Sequence, residues 1–181
     1  YNRIFPIKFI LVVLANTLQD RQKIPFSEIK QVVEDVGLAF RRWAIDNMSQ
    51  PINQSFCYTG FPKDHTEFLK TPRLKKTGRR NHKRANEKSL ELARTSRERF
   101  SSQFLGRLLN SGKVLGACFE MELIVATKER DKKEFDVSLT ELGLEFASLE
   151  NPIMKYVKEI VKQNENKGKD IMYQDRPESI L

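Results

Sequence analysis

"RERFSSQFLGRLLNSG", Arg97 to Gly112, repeats its apolar residues at helical spacing and then stops. Phe100, Phe104, Leu105, Leu108 and Leu109 fall on one side, and Gly112 stands where a helix would end. The opposite side carries Arg99, Ser102, Gln103 and Asn110. The fold turns on what the apolar side packs against, and the function on what the polar side meets.

Working outward, "NEKSLELA" (Asn86 to Ala93) reads as a short helix and "RTS" (Arg94 to Ser96) as a turn. On the other flank, "KVLGACFEMELIVAT" (Lys113 to Thr127) reads as one long β-prone segment. "KERDKKE" (Lys128 to Glu134) is then a charged turn and "FDVSL" (Phe135 to Leu139) a second strand. "TELGLEFASLE" (Thr140 to Glu150) opens another helix capped by Thr140 or Ser138, with Ser138 and Glu141 at capping-box spacing. A final amphipathic helix at 152–163 places Ile153, Val157, Ile160 and Val161 on one stripe. The polar tail 164–181 is expected to be disordered.

Helix, turn, helix, strand, charged hairpin, strand, helix is the order of a winged helix-turn-helix. "SRERFSSQFLGRLLNSGKVLG" followed by "VSLTELGLEFA" resembles the recognition helix, wing and "LTxxG" helix of MarR- and PadR-like proteins. "GACFEMELI" and "LTELGLEFASLENPI" are similar to uncharacterised archaeal members of that superfamily. The resemblance covers about residues 86–152 and implies a mainly α fold with a small β-hairpin wing, an α+β class. It also implies DNA binding through helix 96–110.

Before that unit, "IFPIKFILVVLANTL" (Ile4 to Leu18) is apolar but only fifteen residues long with Lys8 inside. A membrane span needs about twenty, and no small-residue cleavage site follows, so a buried first helix is expected rather than a span or a leader. Ser27 reads as an N-cap for a helix carrying Ile29, Val32, Val33 and Val36, with Gly37 as its stop. A third helix then carries Phe40, Trp43, Ala44 and Met48, flanked by Arg41 and Arg42. Ser27 to Met48 is thus a second candidate helix-turn-helix, with Arg41 and Arg42 exposed. The chain divides into a helical unit at 1–62, a basic arm at 63–85, a winged unit at 86–163 and the tail.

The arm holds the charge. Lys70, Arg73, Lys75, Lys76, Arg79, Arg80, Lys83 and Arg84 lie within fifteen residues that contain no acid. The rest of the chain has 24 basic and 24 acidic residues, so the whole net charge of +8 sits in this run. Its natural partner is a polyanion. Almost nothing in it can be buried, so a flexible arm is expected.

On duplex DNA an arm can lie along phosphates or enter the minor groove while a helix reads base edges in the major groove. Arg97, Arg99, Ser102, Gln103 and Arg107 are the candidates on the helix; Arg99 can pair with guanine and Gln103 with adenine. Lys128, Arg130, Lys132 and Lys133 in the wing are candidates for phosphate. RNA is a weaker partner, because the run contains no aromatic residue on which bases could stack. The helix at 152–163 is a candidate homodimer element.

Enzyme readings rank lower. "GRLLNSGKV" has five residues between its glycines and Val114 after Lys113, whereas a phosphate loop needs four and then a hydroxyl. His65 and His82 stand in polar or basic surroundings without clustered ligands. Glu120 and Glu122 would share one strand face and could serve a metal-dependent nuclease, a lower-ranked reading. Cys57 and Cys118 read as reduced thiols, which suits an intracellular protein. No cofactor, metal or small-molecule ligand is expected. The chief alternative is a winged-helix interaction module that touches DNA or RNA without sequence preference.

Overall fold

The computed structural model describes residues 4–19, 21–47, 60–70, 82–109, 113–128 and 134–163. The first helix, α1 (Ile4–Thr17), has ten consecutive buried residues, Phe5 to Leu14. A helix that is apolar all round has to sit inside, and this one does. After it come β1 (Ile24–Pro25), α2 (Phe26–Asn47), α3 (His65–Leu69) and α4 (His82–Phe104), of which α2 and α4 pack against it. A hairpin of β2 (Arg107–Leu108) and β3 (Val114–Leu115) follows, then α5 (Ala117–Glu120). Strands β4 (Ile124–Thr127) and β5 (Asp136–Leu139), helix α6 (Glu141–Ser148) and a last helix α7 at 154–163 complete the order. Among the described residues no helix is long and apolar enough to cross a membrane.

The fold is mainly helical with a small antiparallel sheet, as expected. Strands β4 and β5 pair in register Ile124↔Leu139 to Thr127↔Asp136. Strand β1 adds to the far side of β5, giving the order β1-β5-β4. That pairing ties the N-terminal helices to the C-terminal half. One hydrophobic core contains Phe9, Phe40, Phe100, Phe104, Val137 and Val157 together, so it runs across the expected boundaries at 62 and 86.

Two helical breaks expected from the sequence are absent. Helix α2 continues through Gly37 as one helix of 22 residues. Its Gly37 is a notch rather than a stop: a Cβ there would lie 3.2 Å from the Phe100 ring and from Pro62, where α4 and the segment before α3 cross. This removes the second helix-turn-helix at 27–48. Helix α4 likewise continues through Arg94–Ser96. There the Thr95 hydroxyl donates to its own helix at Glu91 O (3.0 Å), and Ser96 Oγ accepts the Lys63 N–H (3.1 Å). Residues 86–104 therefore lie in a single helix with no turn inside it, and the helix expected at 96–110 ends at Phe104. Leu108, expected inside, is 54% exposed on β2.

The long β-prone segment at 113–127 is also divided. Strands β3 and β4 are separated by α5, and Glu122 has φ +56°, which bends the chain sharply before β4. Glu120 thus ends a helical turn while Glu122 occupies a left-handed position, so they share no strand face.

The "LTELG" stretch has a plain structural reason. Thr140 caps α6, accepting the Gly143 N–H at 3.0 Å, while its hydroxyl donates to Glu122 O at 2.8 Å. A Cβ on Gly143 would lie 1.9 Å from Leu123 O, so only glycine allows α6 to sit against the chain entering β4. At its other end, α6 is closed by Lys8. The ammonium donates to Phe146 O, to Ala147 O (3.0 Å) and to Leu149 O (2.7 Å).

The α7 stripe that suggested a dimer is already covered within the chain. Met154, Val157 and Val161 are buried, and Tyr156 stacks on Trp43 with ring centroids 4.3 Å apart. The apolar face that the dimer expectation needs is spent on the protein's own core.

Candidate nucleic-acid interface

Of the segment expected to be a flexible arm, residues 63–70 and 82–85 are described, and they are folded. Asp64 caps α3, its carboxylate accepting the Thr66 N–H while Glu67 accepts the Asp64 N–H, a complete capping box. The same two acids anchor α3 to α2. Arg41 grips Glu67 through two nitrogens, Nε to Oε1 at 2.9 Å and a terminal nitrogen to Oε2 at 2.8 Å. Arg42 pairs with Asp64. Burial by itself would raise both carboxyls, but the arginines and the capping N–H groups outweigh it and hold both below their ordinary values. Arg41, expected to be exposed, is buried. Arg73, Lys75, Lys76, Arg79 and Arg80 lie outside the described residues.

The described arginines divide into two groups. Arg21, Arg41, Arg42, Arg94 and Arg97 each pair with an acid. Arg97 turns toward α2, where it meets Asp35 at 3.5 Å; burial raises the Asp35 carboxyl and this charge partly opposes the rise. Next to it the Ser101 hydroxyl donates to Glu34 Oε1 at 2.5 Å. Arg84, Arg99 and Arg107 form no ion pair among the described residues, and all three are exposed. Arg84, Lys88, Thr95, Arg99 and Gln103 recur at spacings of four and seven along α4 and share one side of it. Arg107 follows on β2. The basic run leads straight into the first turn of this helix, in which Lys83 and Arg84 lie.

Thr95, Arg99 and Gln103 form a ridge between two clefts. One, of about 520 Å³, has Arg99, Ser102, Gln103 and Arg107 on one wall and Leu115, Gly116 and Glu120 on the other. The structure thus brings together four of the five residues expected on the helix; Arg97 is the one it takes away. Glu98 and Glu120 line this cleft too, so its local charge is balanced. The second cleft, of about 350 Å³, lies between α3 and α4, and Lys63, Phe68 and Leu92 line it with Arg99 and Gln103. Those three residues were missed. The capping-box spacing Asp64-x-x-Glu67 was the signal that Phe68 belonged to a helix and not to an arm.

Lys128 is exposed at the end of β4, and the remaining wing candidates, Arg130, Lys132 and Lys133, lie outside the described residues. His65 Nδ1 lies 2.6 Å from Asp64 Oδ1, inside the capping arrangement. No group of three or more metal-ligating side chains occurs among the described residues. Cys118 is a free thiol, and burial pushes it up to about 12, far from a reactive thiolate at neutral pH. No family model, curated protein or solved structure matches the chain.

Proposed function

We propose that this protein binds double-stranded DNA as a transcription regulator or chromatin-associated factor. The observation that carries the reading is the division of its arginines. The described ones that form no ion pair among the described residues lie along one side of α4 and on its hairpin, directly continuous in sequence with a run that holds the whole net charge. An arginine left without a partner keeps its planar fork free for a guanine edge or a phosphate. In this account the residues from 71 to 84 supply electrostatic grip, while Arg99, Gln103 and Arg107 supply contacts held by a rigid helix and hairpin.

A winged-helix arrangement is the form we infer for it. The three-stranded order β1-β5-β4, with a charged sequence between β4 and β5, and the Thr140–Gly143 lock on α6 support this form. The helix preceding the wing is then α4, which packs against both the short α3 before it and the long α2.

One observation favours a second reading, an interaction module with nonspecific nucleic-acid contact. Glu98 and Glu120 stand beside Arg99 and Arg107 in the larger cleft and cancel its charge. Selection of bound fragments from random duplex DNA separates the two. Enrichment of a common motif is the expected result. Uniform recovery moves the module reading ahead, and no retention at low salt overturns nucleic-acid binding altogether.

A further inference from the structure

Opposite charges share the cleft between α4 and the hairpin without pairing. Arg99 and Arg107 line it together with Glu120, and all three are exposed. None of the three forms an ion pair among the described residues. Glu98 also lines the cleft, but it has Arg94 3.9 Å away. The two walls are held firmly. Arg99 stands on the 23-residue helix α4. Opposite it, a Cβ on Gly116 would collide with the Gly106 backbone, so glycine is what lets the chain before α5 close onto the end of α4. The Glu120 N–H donates to Gly116 O at 2.9 Å, which fixes the turn that carries the carboxylate.

We infer that Arg99 and Glu120 together read one G·C base pair at the mouth of this cleft, Arg99 on the guanine and Glu120 on the amine of its cytosine. The inference rests on the duplex-DNA reading above and narrows it to a base pair. In the major groove guanine presents two acceptors, O6 and N7, and cytosine presents one donor, its N4 amine. A guanidinium fork only donates and an ionised carboxylate only accepts, so the two side chains match the two bases. The acid also selects against the other DNA group on offer. A carboxylate facing a phosphate is repelled, with nothing in the contact to offset the repulsion. A cytosine amine supplies the donor that Glu120 lacks in the folded chain. A balanced cleft is therefore poor at gripping backbone and suited to a base edge, where donors and acceptors alternate. An A·T pair offers an amine too, on adenine, but no single base with two acceptors for the fork. Glu120 thus acts as a specificity residue, and its charge is a reason why random duplex binds less well.

The test takes the duplex enriched by selection and replaces its G·C pairs by A·T one at a time. Affinities are measured for the full chain and for its Arg99→Ala, Glu120→Ala and Glu120→Gln variants. The parent protein is expected to prefer G·C by about 5- to 150-fold at one position, the range that a good base contact supplies. Arg99→Ala and Glu120→Ala should both reduce the preference at that same position. Glu120→Ala should also bind scrambled duplex more tightly, because it removes a repelling charge, and the isosteric Glu120→Gln should do the same. Two results overturn the shared base pair and leave the DNA reading standing. One is that Glu120→Ala raises affinity for every duplex alike with each preference unchanged; the other is that the two alanine variants act at different positions. An enriched motif without a G·C pair overturns it as well. Failure of the parent protein to bind any duplex overturns both readings.

Discussion

Lys8 Nζ and the carbonyl of Leu149 are 2.7 Å apart, so the one charge inside the apolar first helix closes the last turn of a helix about 140 residues later in the chain. The ends of α-helices leave carbonyls without partners and carry partial negative charge. Burial, with Lys158 nearby, lowers the pKa of the amine, while three carbonyls face its ammonium. Lys8→Met should therefore destabilise the fold by about 2–3 kcal/mol, because it leaves buried acceptors unmatched as well as removing the cation. Chemical denaturation of the two proteins measures this directly. An unchanged midpoint would mean that water replaces the ammonium at no cost.

Two glycines should respond very differently to alanine. At Gly143 the added carbon would collide with the Leu123 carbonyl, a backbone atom that cannot turn away. At Gly37 it would press on the Phe100 ring and Pro62 at 3.2 Å, and alanine gains about 1 kcal/mol in a helix interior. Gly143→Ala is expected to cost about 3 kcal/mol or more, and Gly37→Ala to lie within about 1 kcal/mol of the parent protein. Thermal melts of both variants rank them.

Much of this was legible in the sequence, and the misses share a cause. Helix α1, the β4–β5 hairpin, the Thr140 cap and α7 were readable because apolar period and cap chemistry agree there. Gly37 and Arg94–Ser96 misled because their roles are tertiary. A glycine that admits a crossing ring looks, in sequence, like one that ends a helix. Ser96 is satisfied by Lys63, more than thirty residues away. On the site, exposure of Arg99 and Gln103 was readable from helical spacing, whereas Ser102 is half-buried and Arg107 is exposed on β2 rather than on the helix. The capture of Arg97 by Asp35 was not readable, because nothing in either residue's neighbourhood names the other.

Acid should loosen α3 first. Asp64 and Glu67 titrate below their ordinary values of 3.8 and 4.5 in the folded protein. A carboxyl lowered by folding contributes stability above its unfolded pKa and loses it as pH falls through the folded one. Stability is thus expected to decline below about pH 4.5, and Glu67→Gln should flatten that decline. At neutral pH the same variant should cost about 1–3 kcal/mol, since the buried Arg41 loses the Glu67 carboxylate charge. Melting temperature against pH for both proteins checks the sign and the window.

The basic run should set the salt dependence. If about five of its charges meet phosphates, log K falls with log salt at a slope of about −4.5 from this segment alone. Replacing Arg73, Lys75, Lys76, Arg79 and Arg80 by glutamine should remove most of that slope on any duplex and leave the melting temperature unchanged. Binding with an unaltered slope would place the phosphate contacts elsewhere.

The most direct measurement compares Arg97→Ala with Arg99→Ala, two neighbours on one helix that the fold treats differently. Arg97 is engaged with Asp35, whereas Arg99 forms no ion pair among the described residues and stands on the ridge beside Gln103. Both variants are titrated against a selected duplex and a scrambled one. Arg99→Ala should cost about 1–3 kcal/mol on the selected duplex and little on the scrambled one, while Arg97→Ala should leave both affinities unchanged. Equal losses on both duplexes for Arg99→Ala, or a larger loss for Arg97→Ala, would contradict the account that this face of α4 reads bases.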